Sequence, residues 1–384
     1  MPKVPSSASR LLTAVHRHGP LTRAAATERA GLARSAAGHA ATQLEAAGLI
    51  RSGEQRAVGT GRPSVLLEPA PDGPLALAVK VEATGLRGAA YGLGLRRQGD
   101  VVVCRADLHG MPPDELSAHI AQLAHRMLGG DWERCAGLGL AFPGMVDEDS
   151  GVVQISLVVG WSDPVDLVAQ VHAALPEAAY AKGQLPLTLV RDSTATAIGE
   201  YRPGSGALLA VTGERHGMGS ALVGVADQAQ TLEIGHLCVD PEGPACACGS
   251  RGCLELYVGG PALLTALGLD DSPGLTEAEL DEQVRAALAA PAQAPVVRGL
   301  AEHLATALTG VTNTVGPDEV VFTGMLALLA TAAHEQITQA LAASVVARVR
   351  GTVHRLGTRP DAALAGAAEL AFTQLLAHPL GDQE

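Results

Sequence analysis

His236, Cys246, Cys248 and Cys253 fall within eighteen positions of this chain and together offer the side chains of a metal site. They lie in Glu233-Ile-Gly-His236, nine further residues, then Cys246-Ala-Cys248-Gly-Ser-Arg-Gly-Cys253-Leu-Glu255. Three thiolates and one imidazole complete a tetrahedral shell, and Gly249 and Gly252 permit a turn tight enough for the sulfurs to converge. Four protein ligands leave no open position. The metal expected is therefore a structural Zn2+, one per chain, that fixes a loop rather than activating water. The alternative for such a cluster is a set of free or redox-active thiols. A Cys-x-Cys step with a third Cys beyond it and a His nearby matches zinc better than a dithiol pair. Six Cys in 384 residues do not make a disulfide scaffold, and their crowding points to metal or redox chemistry in a reducing cytoplasm.

Charge divides the chain. Overall, 27 Lys and Arg against 40 Asp and Glu give a net charge of −13, which taken whole argues against contact with nucleic acid. Residues 1–70, however, hold nine basic residues and four acidic ones, net +5, and the remaining 314 hold 18 against 36, net −18. A basic head on an acidic body is the asymmetry expected when one domain alone meets nucleic acid. The start, MPKVPSSASR, has no apolar run after its Lys, so no secretory signal is expected. No apolar run approaches the ~18 residues needed to cross a bilayer. The chain is expected to be cytoplasmic, with no membrane partner.

In the head, Leu11, Leu12 and Val15 recur at helical spacing from an N-cap at Ser9 to His18, where Gly19-Pro20 ends the segment. A second helix starts from Thr22 and runs to Gly31. A third spans about Ala33 to Ala47, with Leu44 buried and Gly48 as its C-cap glycine. Leu49-Ile50 begins a strand, and Val65-Leu66-Leu67 offers another across the Gly-rich EQRAVGTGRP connection. Three short helices and a hairpin make a winged helix-turn-helix, whose third helix enters the major groove. Expected DNA-binding residues are Arg23, Arg34, Ser35, His39, Thr42 and, from the Gly61-Arg62-Pro63 step, Arg62 in a minor groove.

A Pro-containing linker, EPAPDGP (68–74), leads to apolar strand-like runs, LALAVKVEA, RGAAYGLGL and DVVVCRADL, then to helical stretches such as ELSAHIAQLAHRML. A second set of strands begins at Ala207. The pattern predicts a duplicated α/β body of two lobes with a cleft between them.

The chain resembles the ROK proteins (repressor, open reading frame, kinase). The resemblance runs from RLLTAVHRHGPLTRAAATERAGL through GTGRPSVLLEP, FPGMVDEDSG, RDSTATAIGE, LEIGH and CACGSRGCLE to DEVVFTGM. It implies an α/β, actin-like, hexokinase-like two-lobed body (71–384) behind a mainly α winged helix-turn-helix domain (1–70). It also implies a sugar in the cleft and oligomers built from dimers. By the same resemblance the zinc motif (236–253) uses His236, Cys246, Cys248 and Cys253, while Asp192, Glu233, His236 and Glu255 face sugar hydroxyls. Carboxylates and an imidazole supply the charge-assisted hydrogen bonds by which polyols are recognised.

Departures from the family decide between its two functions. Kinase members carry Asp-x-Gly-x-Thr on the first strand of the body, where this chain has Lys80-Val-Glu82-Ala-Thr84. Glu82 repels a phosphate, and the missing Asp removes the magnesium-side carboxylate. The second phosphate loop reads Arg215-His216-Gly217-Met218-Gly219, and the adenosine-side Gly-Gly reads Thr323-Gly324. Asp192 holds the vestigial position of the general base, and a base without a phosphoryl donor catalyses nothing. Arg191 replaces a family Asn: it either pairs with Asp192 and fills the pocket or binds an anionic ligand such as a sugar phosphate. The expectation is a non-enzymatic regulator, most simply a repressor of carbohydrate or related metabolism. It would be dimeric or tetrameric on a palindromic double-stranded operator, with a sugar or sugar phosphate as effector. The alternatives are an ATP-dependent sugar kinase and a scaffold with no sugar effector.

Overall fold

The computed structural model describes residues 5–54, 65–225, 228–272 and 275–381. By contact it divides into one unit made of Met1–Arg191 with Ala367–Glu384 and a second made of Asp192–Gly366.

The first unit opens with α1 (Ser7–His18), β1 (Leu21–Thr22), α2 (Arg23–Arg29), α3 (Arg34–Ala46), β2 (Ile50–Glu54) and β3 (Val65–Pro69). Leu11, Leu12, Val15 and Leu44 fill the small core of this head. The cap of α1 differs from expectation. Ser6 is the N-cap, its hydroxyl accepting the Ser9 N–H at 3.1 Å, and Ser9 itself is buried in the first turn. Thr22 caps α2 as expected, accepting from the Ala25 N–H. Ala33 precedes α3 with no side-chain cap bond. The wing is a three-stranded sheet of order β1-β3-β2, because Leu21 and Thr22 pair antiparallel with Leu67 and Leu66. The expected linker is shorter than its composition suggested: Glu68 and Pro69 lie inside β3. Ala70 donates to Leu49 O, and the Arg134 guanidinium donates twice to Gly73 O.

The unit continues through β4 (Leu75–Glu82), β5 (Gly85–Gly92), β6 (Arg96–Arg105), α4 (Pro113–Leu128), β7 (Cys135–Phe142), β8 (Met145–Asp147), β9 (Val152–Ile155), β10 (Val165–Asp166), α5 (Leu167–Ala174) and β11 (Leu187–Arg191). Its main sheet has order β11-β7-β4-β5-β6: an antiparallel meander from β4 to β6, with β7 and β11 added in parallel.

The second unit holds α6 (Asp192–Glu200), β12 (Leu208–Glu214), β13 (Gly217–Val225), β14 (Gln228–Leu232), α7 (Glu255–Val258), α8 (Gly260–Leu267), α9 (Glu277–Ala289), α10 (Ala294–Val315), β15 (Glu319–Gly324), α11 (Met325–Ala332), α12 (His334–Ala343), α13 (Val345–Arg350) and β16 (Val353–Leu356). Its sheet order, β14-β13-β12-β15-β16, repeats the first: a three-stranded meander and then two parallel strands. Among the described strands, the duplication expected from the sequence is thus one topology used twice. Helix α14 (Ala362–Ala371) runs from the second unit into the first, and α15 (Thr373–Ala377) follows it.

With only three Phe, packing falls to Leu, Val and Ala. The Phe residues sit where one large ring fills most space: Phe142 on β7, Phe322 on the equivalent strand β15, and Phe372 between α14 and α15, all fully buried. Each such side chain contributes roughly 1.5–3 kcal/mol by leaving water.

Candidate metal centre, polar pocket and nucleic-acid face

The segment after β14 folds back on itself in a knuckle. Cys246 N–H donates to Ser250 O, Gly249 N–H to Cys246 O, and Gly252 N–H to Pro244 O. Gly252 is required there: it has φ +58°, and a Cβ would stand 1.6 Å from Asp240 O. The knuckle brings His236 Nδ1 to 3.7 Å from Cys246 Sγ and Cys248 Sγ to 3.6 Å from Cys253 Sγ. All four donor atoms lie within 4.8 Å of one another. Tetrahedral ligands at about 2.3 Å from a metal stand ~3.8 Å apart, so the cluster can hold an ion with little movement. Burial, and then the neighbouring Cys248 and Cys246, pushes the Cys253 thiol up to about 12. Three thiolates so close need a cation to offset their charge, which is what a bound dication provides. Tyr257 braces the loop from outside, its hydroxyl donating to Asp240 Oδ2 at 3.0 Å and its ring stacked on His303. Neither partner of Tyr257 is near it in sequence, so the motif alone did not reveal the brace.

The polar residues expected to face a sugar converge within the second unit. Asp192 opens α6, is buried, and accepts its neighbour's Ser193 N–H at 2.8 Å. Ser193 packs against Gly219, where a Cβ would stand 2.7 Å from its Oγ. Glu255 opens α7, and a Cβ on Gly217 would stand 2.8 Å from its Oε1. Residues 217 and 219 share one face of β13, so the two carboxylate-bearing helix starts approach that face about 7 Å apart along the strand. Glu233 follows β14, and Gly235 lies beside Glu255 Oε2. His236 turns Nδ1 to Cys246; a metal on that nitrogen leaves Nε2–H as a donor. Three carboxylates and an imidazole at one end of a sheet suit a ligand with several hydroxyls. Arg191 closes the first unit at the end of β11, opposite Phe142, and its backbone N–H donates to Glu148. Burial raises the Glu148 pKa despite that bond.

The three stretches expected to have lost nucleotide contacts carry internal interactions. Lys80 Nζ lies 3.4 Å from Glu82 Oε1 on β4, and Arg87 on β5 approaches the same oxygen at 3.8 Å. Arg215, in the tight turn between β12 and β13, is buried: it donates to Asp271 Oδ1 at 2.6 Å and to the carbonyls of Leu275 and Ser272 at 2.9 Å. Thr323 donates to Thr212 Oγ1 at 2.9 Å. Gly324 has φ +58° and would carry a Cβ 2.0 Å from Gly213 O, so it serves close strand packing.

In the head, Arg34, Ser35, His39 and Thr42 are all exposed on α3, at spacings that share one side of the helix. Arg23 is exposed at the start of α2 and donates to Ser52 Oγ at 3.4 Å; Ser52 in turn donates to Glu45. That relay ties α2, the wing and α3 together and sets an acidic group near Arg23. Arg62 lies outside the described residues. No described helix is long and apolar enough to cross a membrane.

A family profile described as ROK family matches residues 107–374. A kanosamine kinase from Amycolatopsis mediterranei is 33% identical over 215 residues, 55% of this chain and 66% of that protein. A xylose repressor from Bacillus subtilis is 29% identical over 141 residues, 34% of each. The chain therefore spans between a third and two thirds of these relatives' own length. A crystal structure of a ROK family transcriptional regulator, a homologue of the E. coli Mlc protein, shares the fold with a TM-score of 0.73 at 21% identity, over 96% of both chains.

Proposed function

This chain belongs to the ROK family, and from that premise we propose that it is a DNA-binding transcriptional regulator, a repressor of carbohydrate or related metabolism, with a degenerate sugar-kinase-like effector body. In this reading residues 1–70 are the DNA-reading head and residues 71–384 the effector and oligomerisation region. The observation that carries it is α3, which presents Arg34, Ser35, His39 and Thr42 on one exposed side of a winged helix-turn-helix. Arg34 and Arg23 hold phosphates, while Ser35, His39 and Thr42 meet base edges. A cytoplasmic homodimer or homotetramer would set two heads on the half-sites of a palindromic operator.

The metal is a structural Zn2+ held by His236, Cys246, Cys248 and Cys253; when bound it supplies charge and cross-linking, no reaction step. Asp192, Glu233, His236 and Glu255 bind the hydroxyls of a sugar or sugar phosphate, with Arg191 as the group that favours the anionic form. Effector binding acts by differential affinity for two arrangements of the protein. The test is retention of the protein's own promoter DNA by the purified chain. Salt-sensitive retention that a sugar or sugar phosphate alters supports the reading; no retention under any ligand condition ends it.

A second reading, an ATP-dependent sugar kinase, draws on Asp192, Glu233 and Glu255 and on the likeness to kanosamine kinase. The Lys80–Glu82 pair and the committed Arg215 oppose it. ADP release with a panel of hexoses would establish it; its absence is the expected result.

A further inference from the structure

His16 stands in the last turn of α1 and is 3% exposed. Its Nδ1 accepts the Gly94 N–H at 3.0 Å, its Nε2 lies 2.7 Å from Glu369 Oε2, and its ring meets the edge of Phe372 at 5.3 Å. Because Nδ1 is the acceptor, the ring proton sits on Nε2 and is donated to the carboxylate. A histidine that served only the head's own fold would bond within it. These three partners all lie outside residues 1–70.

The surroundings leave little slack. A Cβ on Gly94 would stand 3.3 Å from Pro69 Cγ, and Arg134 holds the following turn through Gly73 O. The head is therefore tied at two places, at the end of α1 and where the wing runs into β4.

Glu369 belongs to α14, which is seated backbone to backbone along its length. A Cβ on Gly199 would stand 1.9 Å from Ala362 O, and one on Gly366 would stand 1.8 Å from Ala195 O, so the early part of α14 lies directly on α6. A Cβ on Gly139 of β7 would stand 2.1 Å from Ala367 O, which seats the later part. Helix α6 begins at Asp192, and α14 ends beside Glu369. Tightly packed backbones transmit displacement instead of absorbing it.

We propose that His16 and Glu369 form the joint that fixes the DNA-reading head to α14, so that the setting of α3 follows that helix. The role of this joint in operator binding rests on the regulator reading above; the joint itself does not. His16 and Glu369 are positioning residues: neither touches DNA, and each acts by holding α1.

Hydrogen exchange on the intact chain tests the joint directly. In His16→Ala, exchange should quicken about tenfold or more both at the end of α1 and at residues 92–95, the loss expected for a buried bond to a charged group. Helix α3 should keep its protection. Glu369→Ala should act on α1 in the same way. Glu369→Gln, whose amide oxygen still accepts the Nε2 proton, should restore the wild-type pattern. With a duplex selected by the wild-type protein from a random-sequence library, His16→Ala and Glu369→Ala should bind about tenfold more weakly at an unchanged salt slope, since no phosphate contact is removed. Unchanged exchange at residues 92–95 in His16→Ala would overturn the joint. So would loss of protection throughout α3, which would make His16 a core residue of the head. If the wild-type protein selects no duplex, the regulator reading falls and the exchange data still decide the joint.

Discussion

Arg215 Nε lies 2.6 Å from Asp271 Oδ1, and the same guanidinium holds the carbonyls of Ser272 and Leu275. Arg215, in the stretch where the family resemblance leads one to expect a phosphate loop, thus fastens the turn between β12 and β13 to the segment before α9. Its charge is matched within the protein, and it is not directed at a nucleotide.

Arg215→Ala should therefore lower stability by about 2–3 kcal/mol, the loss of a buried charged donor from several acceptors, without conferring nucleotide binding. Urea unfolding and a nucleotide thermal-shift measurement check both parts. A variant as stable as the wild type would contradict the assignment.

The metal cluster predicts about one zinc per chain by elemental analysis. Cys248→Ser should reduce the metal content to near zero and lower the unfolding midpoint by roughly 5 °C or more, the equivalent of about 2 kcal/mol in a unit of this size. Full metal content in this variant would sink the four-ligand assignment.

Glu200 is buried, with its carboxylate receiving Arg355 at 2.7 Å and the backbone N–H groups of Thr358 and Arg359 at 2.9 and 2.8 Å. Burial alone would raise its pKa, but the Arg355 and backbone bonds together outweigh that and hold it below the ordinary 4.5. A carboxyl depressed in the folded state stabilises fully above its unfolded value and loses that contribution as pH falls through the folded one. The stability advantage of wild type over Glu200→Gln should thus be constant above about pH 5.5 and shrink below 4.5. Denaturant midpoints across that range measure it, and an advantage that grew on acidification would refute the sign.

On DNA, Arg34→Ala should weaken binding to all sequences alike and reduce the slope of log K against log salt by about one. Thr42→Ala should leave the slope unchanged and cost about 1–3 kcal/mol at a single base position. Arg23→Ala should reduce the slope by less than Arg34→Ala, because the Arg23 guanidinium already donates to Ser52, whose hydroxyl is in turn held by Glu45. Anisotropy titrations at several salt concentrations separate these cases.

The cluster of one histidine and three cysteines was legible because the knuckle closes over a short stretch: its glycines, its turns and three of its four donor atoms lie between Pro244 and Cys253. The helices of the head were legible for the same reason, since periodicity and caps act within a turn or two, and even there the cap of α1 moved from Ser9 to Ser6. Strand β1 was not legible. Two residues have no strand signal of their own and become one only by pairing with Leu66 and Leu67.

What the sequence determined by itself was chemistry carried in local windows: a three-cysteine, one-histidine cluster, a basic head on an acidic body, and two sets of strands. What only the tertiary structure decided was which distant groups engage one another. Arg215 finds Asp271 across 56 positions and His16 finds Glu369 across 353. The physical reason is that a turn or a cap is decided by backbone geometry within a few residues. A buried ion pair or hydrogen bond forms only after sheets and helices have excluded water and brought remote side chains together.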